Sequence, residues 1–379
     1  MSANPPRKYR FGFILTTTIG NRTHYLNLRR FAEADHEVES WWVPVDHKTT
    51  PAADRLLRFL PRPIAMRVWI FHQLLPAFRF LGRSDAVMIH QFEAEIVCAA
   101  RSYLASRPLL VSSTDEAPAG SDESYPVYPG QGRKSATRKA FRLSLDRWRA
   151  HRFALVIPFT KWAAALFRQN CDVADEKIVP IHVGIDLGLW TRPESEAPAS
   201  PRRRKILFVG TDFERKGGDL LLAVFKERFA DVAELHMVTG NPPDDAPPNV
   251  HFHRDMSPND PRLVALYAAC DMLVMPTGAD LAPWAFIEAM AMRRPTIGTD
   301  VGAISEIIDD GVTGFVIPVG DAEALGNRMQ RLLEDDDLAR EMGRRGRLKV
   351  ERDYDAARNV PKILAAMKAI VDRRRSADT

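Results

Sequence analysis

The sequence predicts an α/β protein of two domains, because apolar runs typical of buried parallel strands alternate with helix-like segments along the chain. The 379 residues are enough for two domains, and 45% of them are hydrophobic, which is enough for two cores. A segment rich in proline and small residues, at 187–203, separates the two halves and is expected to be a linker. We therefore expect an N-terminal domain at residues 1–186, a C-terminal domain at residues 204–354 and a final helix within residues 355–379.

In the N-terminal half, five apolar runs are predicted to be strands: residues 9–16, 37–45, 86–90, 109–112 and 155–158. The first run leads into a loop that contains Gly20, and a helix is predicted after it at residues 23–31. A strand, a glycine-containing loop and a helix form the opening unit of a doubly wound, Rossmann-like domain. The loop lacks the GxGxxG spacing of a dinucleotide-binding site. A basic helix at residues 134–152 and a helix at residues 161–170 follow. The cations of the basic helix are expected on a solvated face, with contact to a phospholipid or a nucleic acid as the alternative.

The C-terminal half repeats this alternation. Its predicted strands are residues 205–209, 234–239, 250–253, 272–275, 296–299 and 315–318. Its predicted helices are residues 219–229, 261–270, 284–292, 304–308, 321–334, 338–354 and 355–374. Pro283 suits the first turn of the third of these helices, where its missing N–H costs nothing.

The most informative stretch, residues 271–314, carries two acids around the start of one helix. Asp280 follows a predicted strand, and Glu288 lies about one and a half turns inside the next helix. Carboxylates accept hydrogen bonds from vicinal hydroxyls, and a helix N-terminus favours phosphate, so the pair suits a sugar nucleotide. Acids near a helix N-terminus also favour the helix dipole, so the spacing alone leaves an ordinary helix start open.

Further residues follow these acids in a recognisable order. The whole set is Asp280, Glu288, Ala289-Met290-Ala291, Pro295, Asp300-Val301-Gly302, Glu306-Ile307-Ile308 and Gly311-Val312-Thr313-Gly314. This order resembles the signature of the retaining glycosyltransferases of family 4, which have the GT-B fold. The resemblance covers the C-terminal half well and the N-terminal half loosely. It implies two Rossmann-like domains facing a central cleft, with the last helix crossing back onto the N-terminal domain.

The resemblance also implies a reaction and its substrates. A hexose would move from a nucleotide sugar, a UDP-sugar or a GDP-sugar, to an acceptor hydroxyl with retention at the anomeric carbon. The acceptor would be a glycan or a lipid-linked molecule, in the synthesis of a cell-surface glycan or glycolipid. Neither a metal nor a cofactor beyond the donor is implied.

By the same resemblance, four residues of the C-terminal half receive roles at the donor. Glu288 would bind the ribose hydroxyls, and Asp280 would hold the sugar hydroxyls and orient the ring. Lys216, with Arg215 as the second cation, would stabilise the departing diphosphate, because two cations neutralise the charge that grows there. An ordinary surface pair of cations at a turn is the alternative for Arg215 and Lys216.

Three more residues are assigned by position within the resemblance. Met256 lies where relatives pack the nucleotide base, and Gly20 lies in the loop that approaches the donor diphosphate or the acceptor. Asp115 occupies a place near the reacting sugar, where many relatives have a histidine or an aspartate. A plain turn glycine remains the alternative for Gly20.

The chain departs from the family pattern at three positions. Asp280 stands where the family usually has glutamate, and Arg294 stands where it usually has glycine. Pro283 replaces a glycine and has no N–H to donate to a phosphate or a sugar oxygen. Two alternative functions therefore stay open: a GT-B sugar-nucleotide epimerase and a sugar-nucleotide binding protein without catalysis.

Composition narrows the possible partners and the cellular location of the protein. The formal net charge of +4 is only mildly basic, and no nucleic-acid-binding motif accompanies the cations, so no nucleic-acid partner is expected. The three cysteines, Cys98, Cys171 and Cys270, are far apart, which fits structural thiols in a reducing compartment. The N-terminal apolar run is too short for a signal peptide, and no apolar stretch is long enough to span a membrane. A cytoplasmic enzyme is expected.

Residues 56–84 have an unusual composition, with no acidic residue and five arginines among large apolar side chains. A basic, aromatic-rich amphipathic segment of this kind is a candidate for lying on an anionic membrane surface. The alternative is a core helix whose arginines lie on its solvated side. Peripheral contact with a membrane therefore stays open beside the cytoplasmic expectation.

Overall fold

The computed structural model describes residues 8–18, 20–90, 92–103, 108–115, 136–192, 203–245 and 247–378. The chain divides into two compact units. The N-terminal unit contains the described residues up to 115, residues 136–184 and residues 356–378, and the C-terminal unit is built on residues 185–355. Among the described residues, no helix is long and apolar enough to cross a membrane.

The N-terminal unit is built on a sheet of five parallel strands in the order β2-β1-β3-β4-β5. The strands are β1 (Tyr9–Thr16), β2 (Val38–Val45), β3 (Ala86–His90), β4 (Leu109–Thr114) and β5 (Leu155–Pro158). The order reverses direction between β1 and β3, whose hydrogen-bonded register pairs Phe11 with Ala86 and Leu15 with His90. Ligands of doubly wound sheets bind at the carboxyl ends of the strands beside such a switch point.

Helices cover both faces of this sheet. They are α1 (Asn21–Ala34), α2 (Pro51–Leu57), α3 (Arg62–Leu74), α4 (Phe78–Leu81), α5 (Phe92–Arg101), α6 (Ala136–Ala150), α7 (Lys161–Cys171) and, at the end of the chain, α14 (Ala356–Ala377). Successive strand residues point to opposite faces, so neighbours in β1 belong to different cores. Ile14 packs in the core that includes Ile70 of α3, whereas Phe13 packs in the core that includes Met367 of α14.

The C-terminal unit has six parallel strands in the order β11-β10-β9-β6-β7-β8. They are β6 (Arg204–Val209), β7 (Ala233–Val238), β8 (Val250–His253), β9 (Met272–Met275), β10 (Thr296–Thr299) and β11 (Gly314–Ile317). The helices are α8 (Gly218–Arg228), α9 (Pro261–Ala269), α10 (Trp284–Ala291), α11 (Ile304–Ile307), α12 (Ala322–Glu334) and α13 (Asp336–Asp353). The order of the six strands is the one that dinucleotide-binding Rossmann domains use, with its switch point between β6 and β9.

The prediction of two parallel α/β domains is confirmed, and the strand bounds agree with it to within two residues. The largest strand difference is β4, which continues through Ser113 and Thr114 because their backbones still pair with β5. Pro283 is the N-cap of α10 rather than part of its first turn, with φ −67° and ψ 124°. Of the segment predicted to be a linker, residues 193–202 lie outside the described part of the chain.

Candidate functional site

In the C-terminal unit, the loops that follow β6 and β9 meet at the switch point of the sheet. The two strands are neighbours, with Ile206 opposite Met272, so their carboxyl ends open at the same place. The carbonyl of Arg215 accepts hydrogen bonds from the Gly278 backbone N–H at 3.0 Å and from the Thr277 hydroxyl at 3.1 Å. These bonds hold the two loops together where a doubly wound sheet binds its ligand.

Gly217 makes this close contact of the loops possible. Its φ of +77° lies in the left-handed region, which favours glycine. A Cβ atom at this position would also lie 2.1 Å from the carbonyl oxygen of Pro276. Glycine is therefore required here for two reasons, and it places the preceding residue, Lys216, against the loop after β9.

Lys216 and Asp280 form an ion pair at this junction, and each side chain is only 14% exposed. The other carboxylate oxygen of Asp280 accepts a hydrogen bond from the Leu281 backbone N–H at 2.9 Å. The guanidinium of Arg215 lies 4.0 Å from the same carboxylate. Three residues that the sequence predicted for the donor site thus come together on two loops that are distant in the chain.

Arg215 also links the two loops through its guanidinium. Its Nη1 donates to the carbonyl of Ala279 at 2.8 Å, and its Nε donates to the carboxylate of Asp212 at 2.9 Å. Both loops therefore engage the guanidinium, which reinforces their junction. A contribution of Arg215 to diphosphate binding stays a prediction.

The surroundings of Lys216 act on its pKa in opposite directions. Burial lowers the pKa of its ammonium to about 7, and the neighbouring Arg215 acts in the same direction, whereas Asp212 opposes them. The carboxylate of Asp280, in contact with the ammonium, also favours the charged form. A polyanion at this junction would favour that form further, so the site is suited to bind a phosphate group together with a proton.

Glu288 lies on α10 and is buried, with 6% of its surface exposed. Its carboxylate accepts a hydrogen bond from the hydroxyl of Tyr267 at 2.8 Å. Tyr267 is itself fully buried and packs edge-on against Trp190, with ring centroids 5.2 Å apart. Burial raises the pKa of Glu288 to about 7, while the hydrogen bond from Tyr267 acts in the opposite direction.

This raised pKa predicts a pH-dependent stability. Folding raises the pKa of Glu288 from 4.5 to about 7. Its contribution to the free energy of unfolding is therefore fully present below about pH 4.5 and is lost as the pH rises through 7. Urea unfolding of the wild type at pH 5 and pH 8 is expected to show a loss of about 2–3 kcal/mol from this group. Glu288→Gln should remove that loss, whereas Glu323→Gln, at an exposed position, should retain it. An unchanged pH dependence in Glu288→Gln would contradict the assignment.

The structure also describes Met256 and Gly20, the two other residues predicted at the donor. Met256 is half-buried in the loop after β8, beside Asp255, whose carbonyl accepts a hydrogen bond from Arg262 at 2.8 Å. Gly20 is the N-cap of α1 with φ −71° and ψ −38°, an ordinary right-handed helical conformation. The backbone conformation therefore does not require glycine at position 20, and the binding roles of Met256 and Gly20 stay predictions.

The N-terminal unit has its own polar cluster at its switch point. His90 ends β3, and its Nε2 lies 3.7 Å from the carboxylate of Asp115, which follows β4. The other ring nitrogen of His90 lies 2.5 Å from the Ser113 carbonyl. His24 packs edge-on against Phe159, and burial lowers its pKa to about 3. Asp115, predicted from the sequence alone, is thus paired with a histidine at the carboxyl edge of the sheet.

Sequence reasoning missed His90 and Tyr267. Residues 86–90 were interpreted only as a buried strand, and the polar residue at its carboxyl end was the signal that could have identified His90. Tyr267 lies within the helix before β9, where the sequence offers no signal that relates it to Glu288. The proline, glycine and tyrosine content of residues 125–132 predicts an irregular loop that faces the acceptor, and these residues lie outside the described part of the chain.

Comparison with known proteins relates part of the C-terminal unit to a family. Residues 203–335 match the family model described as glycosyl transferases group 1. Over 109 residues the chain is 30% identical to the capsular polysaccharide biosynthesis glycosyltransferase CapM of Staphylococcus aureus, which covers 29% of this chain and 28% of CapM. The chain spans about half the length, or less, of the curated relatives that it matches.

Solved structures extend the similarity in fold to nearly the whole chain. The sucrose-phosphate synthase of Thermosynechococcus elongatus matches with a TM-score of 0.72 at 18% identity, over 98% of this chain and 100% of that one. HepE of Anabaena, in complex with UDP-glucose, matches with a TM-score of 0.67 at 15% identity, over 97% and 99%. The similarity to group 1 glycosyltransferases is therefore a match of residues 203–335, and the two α/β domains have the GT-B fold.

Proposed function

We propose that the chain is a retaining glycosyltransferase that moves a hexose from a UDP-sugar or a GDP-sugar to an acceptor hydroxyl. The observation that carries the proposal is the Lys216–Asp280 pair on two joined loops at the switch point of the C-terminal sheet. This pair offers a cation for a diphosphate and a carboxylate for sugar hydroxyls at one place. The UDP-glucose complex of HepE, a protein of similar fold, supports a nucleotide sugar as the donor.

The roles of the donor-site residues follow from their chemistry. Lys216, assisted by Arg215, would neutralise the charge that develops on the leaving diphosphate, which a metal ion does in other transferases. Asp280 would accept hydrogen bonds from the sugar and fix the ring. Glu288 would accept those of the ribose, and bound hydroxyls would favour its ionised form. Neither a metal nor a cofactor is assigned to the reaction.

The acceptor is assigned to the N-terminal unit. His90 and Asp115 place an imidazole and a carboxylate 3.7 Å apart at the carboxyl edge of that sheet, and both groups can form hydrogen bonds with an acceptor hydroxyl. The relative CapM, by its name, acts in capsular polysaccharide biosynthesis, which supports a glycan or a lipid-linked glycan as the acceptor. Polysaccharide or glycolipid synthesis at the cytoplasmic side of a membrane is the setting that we propose.

A transfer assay tests the proposal against its alternatives. The chain is incubated with UDP-glucose and other UDP- and GDP-hexoses, with and without a membrane extract that supplies acceptors. A transferase releases nucleoside diphosphate only with an acceptor and yields a product whose anomeric configuration matches the donor. An epimerase instead releases an altered sugar nucleotide without an acceptor. Nucleotide binding with neither reaction would favour a binding protein.

The surface of residues 56–84 provides the second part of the proposal, because α3 has two apolar faces. One face carries Ile70 and Leu74, which are buried in the core of the unit. The other carries Ile64, Val68 and Phe71, and the segments on either side of α3 carry Leu56, Phe59, Leu60, Leu75 and Phe80; all eight side chains are 40–80% exposed. Ile64, Val68, Phe71 and Leu75 recur at intervals of four, three and four residues, so they share one side of the helix.

The arginines around this apolar surface indicate what binds to it. The five arginines of residues 56–84, namely Arg58, Arg62, Arg67, Arg79 and Arg83, are all exposed, and the segment contains no acidic residue. Exposed apolar side chains surrounded by arginines complement an anionic lipid surface, into which the apolar groups insert. We therefore assign this surface to peripheral binding of an anionic membrane, where a lipid-linked acceptor would be found.

Vesicle binding tests this assignment. The chain should sediment with phosphatidylglycerol-containing vesicles, less so as salt rises, and not with phosphatidylcholine vesicles. Arg62→Glu with Arg67→Glu should weaken binding by about 2 kcal/mol, roughly 30-fold. Ile64→Ser with Phe71→Ser should weaken it at every salt concentration, whereas Leu348→Ser, an exposed apolar residue of the C-terminal unit, should not. Absence of vesicle binding even at low salt would overturn the assignment.

A further inference from the structure

The edge of the C-terminal sheet carries a cluster of histidines that the proposed transfer reaction does not use. β8 is the last strand in the order, and it pairs in parallel with β7. His236 of β7 lies opposite His251 of β8 in the register. Residues two apart in a strand share a face, so Glu234 and His253 lie on the same side of the sheet as these two histidines.

The side chains of the cluster lie within reach of a single ion. One ligand atom from each of Glu234, His236 and His251 lies within 4.8 Å of the others. Nε2 of His236 is 3.4 Å from the Glu234 carboxylate, and a tetrahedral ion with bonds of about 2.0–2.1 Å separates its ligands by roughly this distance. The rings of His236 and His251 stack with centroids 4.8 Å apart, so the two imidazoles lie side by side at the edge of the sheet.

A fourth residue orients the cluster. Nδ1 of His236 lies 3.1 Å from Nε2 of His253, a hydrogen-bond distance. A histidine that binds a metal through one ring nitrogen is commonly held through the other, and this arrangement leaves Nε2 of His236 free to face Glu234. Lys205 lies 3.3 Å from the Glu234 carboxylate, so an ion would share that carboxylate with the ammonium.

We propose that Glu234, His236 and His251 form a binding site for a divalent transition-metal ion of the zinc class, with His253 positioning His236. Two imidazoles and one carboxylate are ligands that suit zinc, and a water molecule completes the tetrahedron. The ion joins the edge strand β8 to β7. Because β8 leads directly to the loop of Met256, the ion also anchors that loop.

Zinc titration of the tag-free, EDTA-treated chain against a chromogenic chelator tests the site. One Zn²⁺ per chain should bind with a dissociation constant near or below about 1 µM. His251→Ala and Glu234→Gln should weaken binding at least tenfold, and His253→Phe should weaken it by about 10- to 100-fold through loss of orientation. His151→Ala, an exposed histidine of the N-terminal unit, should bind as the wild type does.

A second measurement separates the site from adventitious binding. Co²⁺ should give the intense visible absorption of a tetrahedral site in the wild type and in His151→Ala, and not in His251→Ala. Zn²⁺ should also raise the melting temperature of the wild type and of His151→Ala, and not that of His251→Ala. Equal zinc affinity in the wild type and His251→Ala, or no binding at 10 µM-scale zinc concentrations, would overturn the proposal.

Discussion

Replacing Lys216 by methionine is expected to lower kcat of sugar transfer by about 10²–10³-fold, because a preorganised charge on the leaving group acts mainly in the transition state. Methionine retains the length and the burial of the side chain but removes the ammonium. In this variant the guanidinium of Arg215 still lies 4.0 Å from the carboxylate of Asp280, so that carboxylate retains a nearby cation. Steady-state kinetics with the active nucleotide sugar measure the effect, and KM for the donor should change less than kcat.

The control for this variant lies on the next helix. Lys226→Met removes an exposed ammonium from α8 and should leave kcat within about twofold of the wild type. Melting temperatures of both variants establish that they fold. A folded Lys216→Met protein with kcat within about threefold of the wild type would contradict the role of Lys216 at the diphosphate.

Changing Asp280 is expected to have the second large effect. Asp280→Asn retains the shape but loses the charge, which should lower kcat by about 10- to 100-fold through weaker hydrogen bonds to sugar hydroxyls. Asp280→Glu should also lower it, because the short side chain both meets Lys216 and accepts from the Leu281 N–H at 2.9 Å. An extra methylene cannot maintain both contacts.

The transfer activity of Asp280→Glu also shows whether the donor site is adapted to its own donor or has lost its function. The related family usually has glutamate at this position, so a large gain of transfer activity in Asp280→Glu would indicate that the site has lost function. A loss would indicate a site adapted to its own donor. The same kinetic assay with Asp231→Asn, an exposed acid in the turn before β7, serves as the control and should remain near the wild-type rate.

Much of the fold was predictable because buried parallel strands leave a simple signal. Runs such as Met272–Met275 and Ala86–His90 are apolar at nearly every position, and their observed bounds equal the predicted ones. Helix faces were harder to predict. Arg149 of the basic helix α6 was expected on a solvated face, but it is buried and paired with Glu95 and Asp146. Asp146 lies one turn earlier in the same helix, but Glu95 lies on α5, and composition carries no information on that long-range pairing.

The candidate site was predictable in part for a similar reason. Lys216, Asp280 and Glu288 lie in motifs that a local pattern contains, and the structure joins the first two through loops 64 residues apart. The partner of Glu288 was not predictable, because Tyr267 reaches it through packing of α9 against the sheet rather than through a motif. Nor was the histidine cluster, which depends on the register of β7 and β8.

Thermal unfolding with UDP, GDP, ADP and TDP, on the wild type and on Glu288→Ala, tests the central claim of a nucleotide-sugar site most directly. A nucleotide at about 100 times its dissociation constant should stabilise the native wild type by roughly 2.7 kcal/mol. UDP or GDP is predicted to do so, with the stabilisation lost in Glu288→Ala and retained in Glu323→Ala. Stabilisation of the wild type by none of the four nucleotides, or equal stabilisation of Glu288→Ala, would contradict the claim.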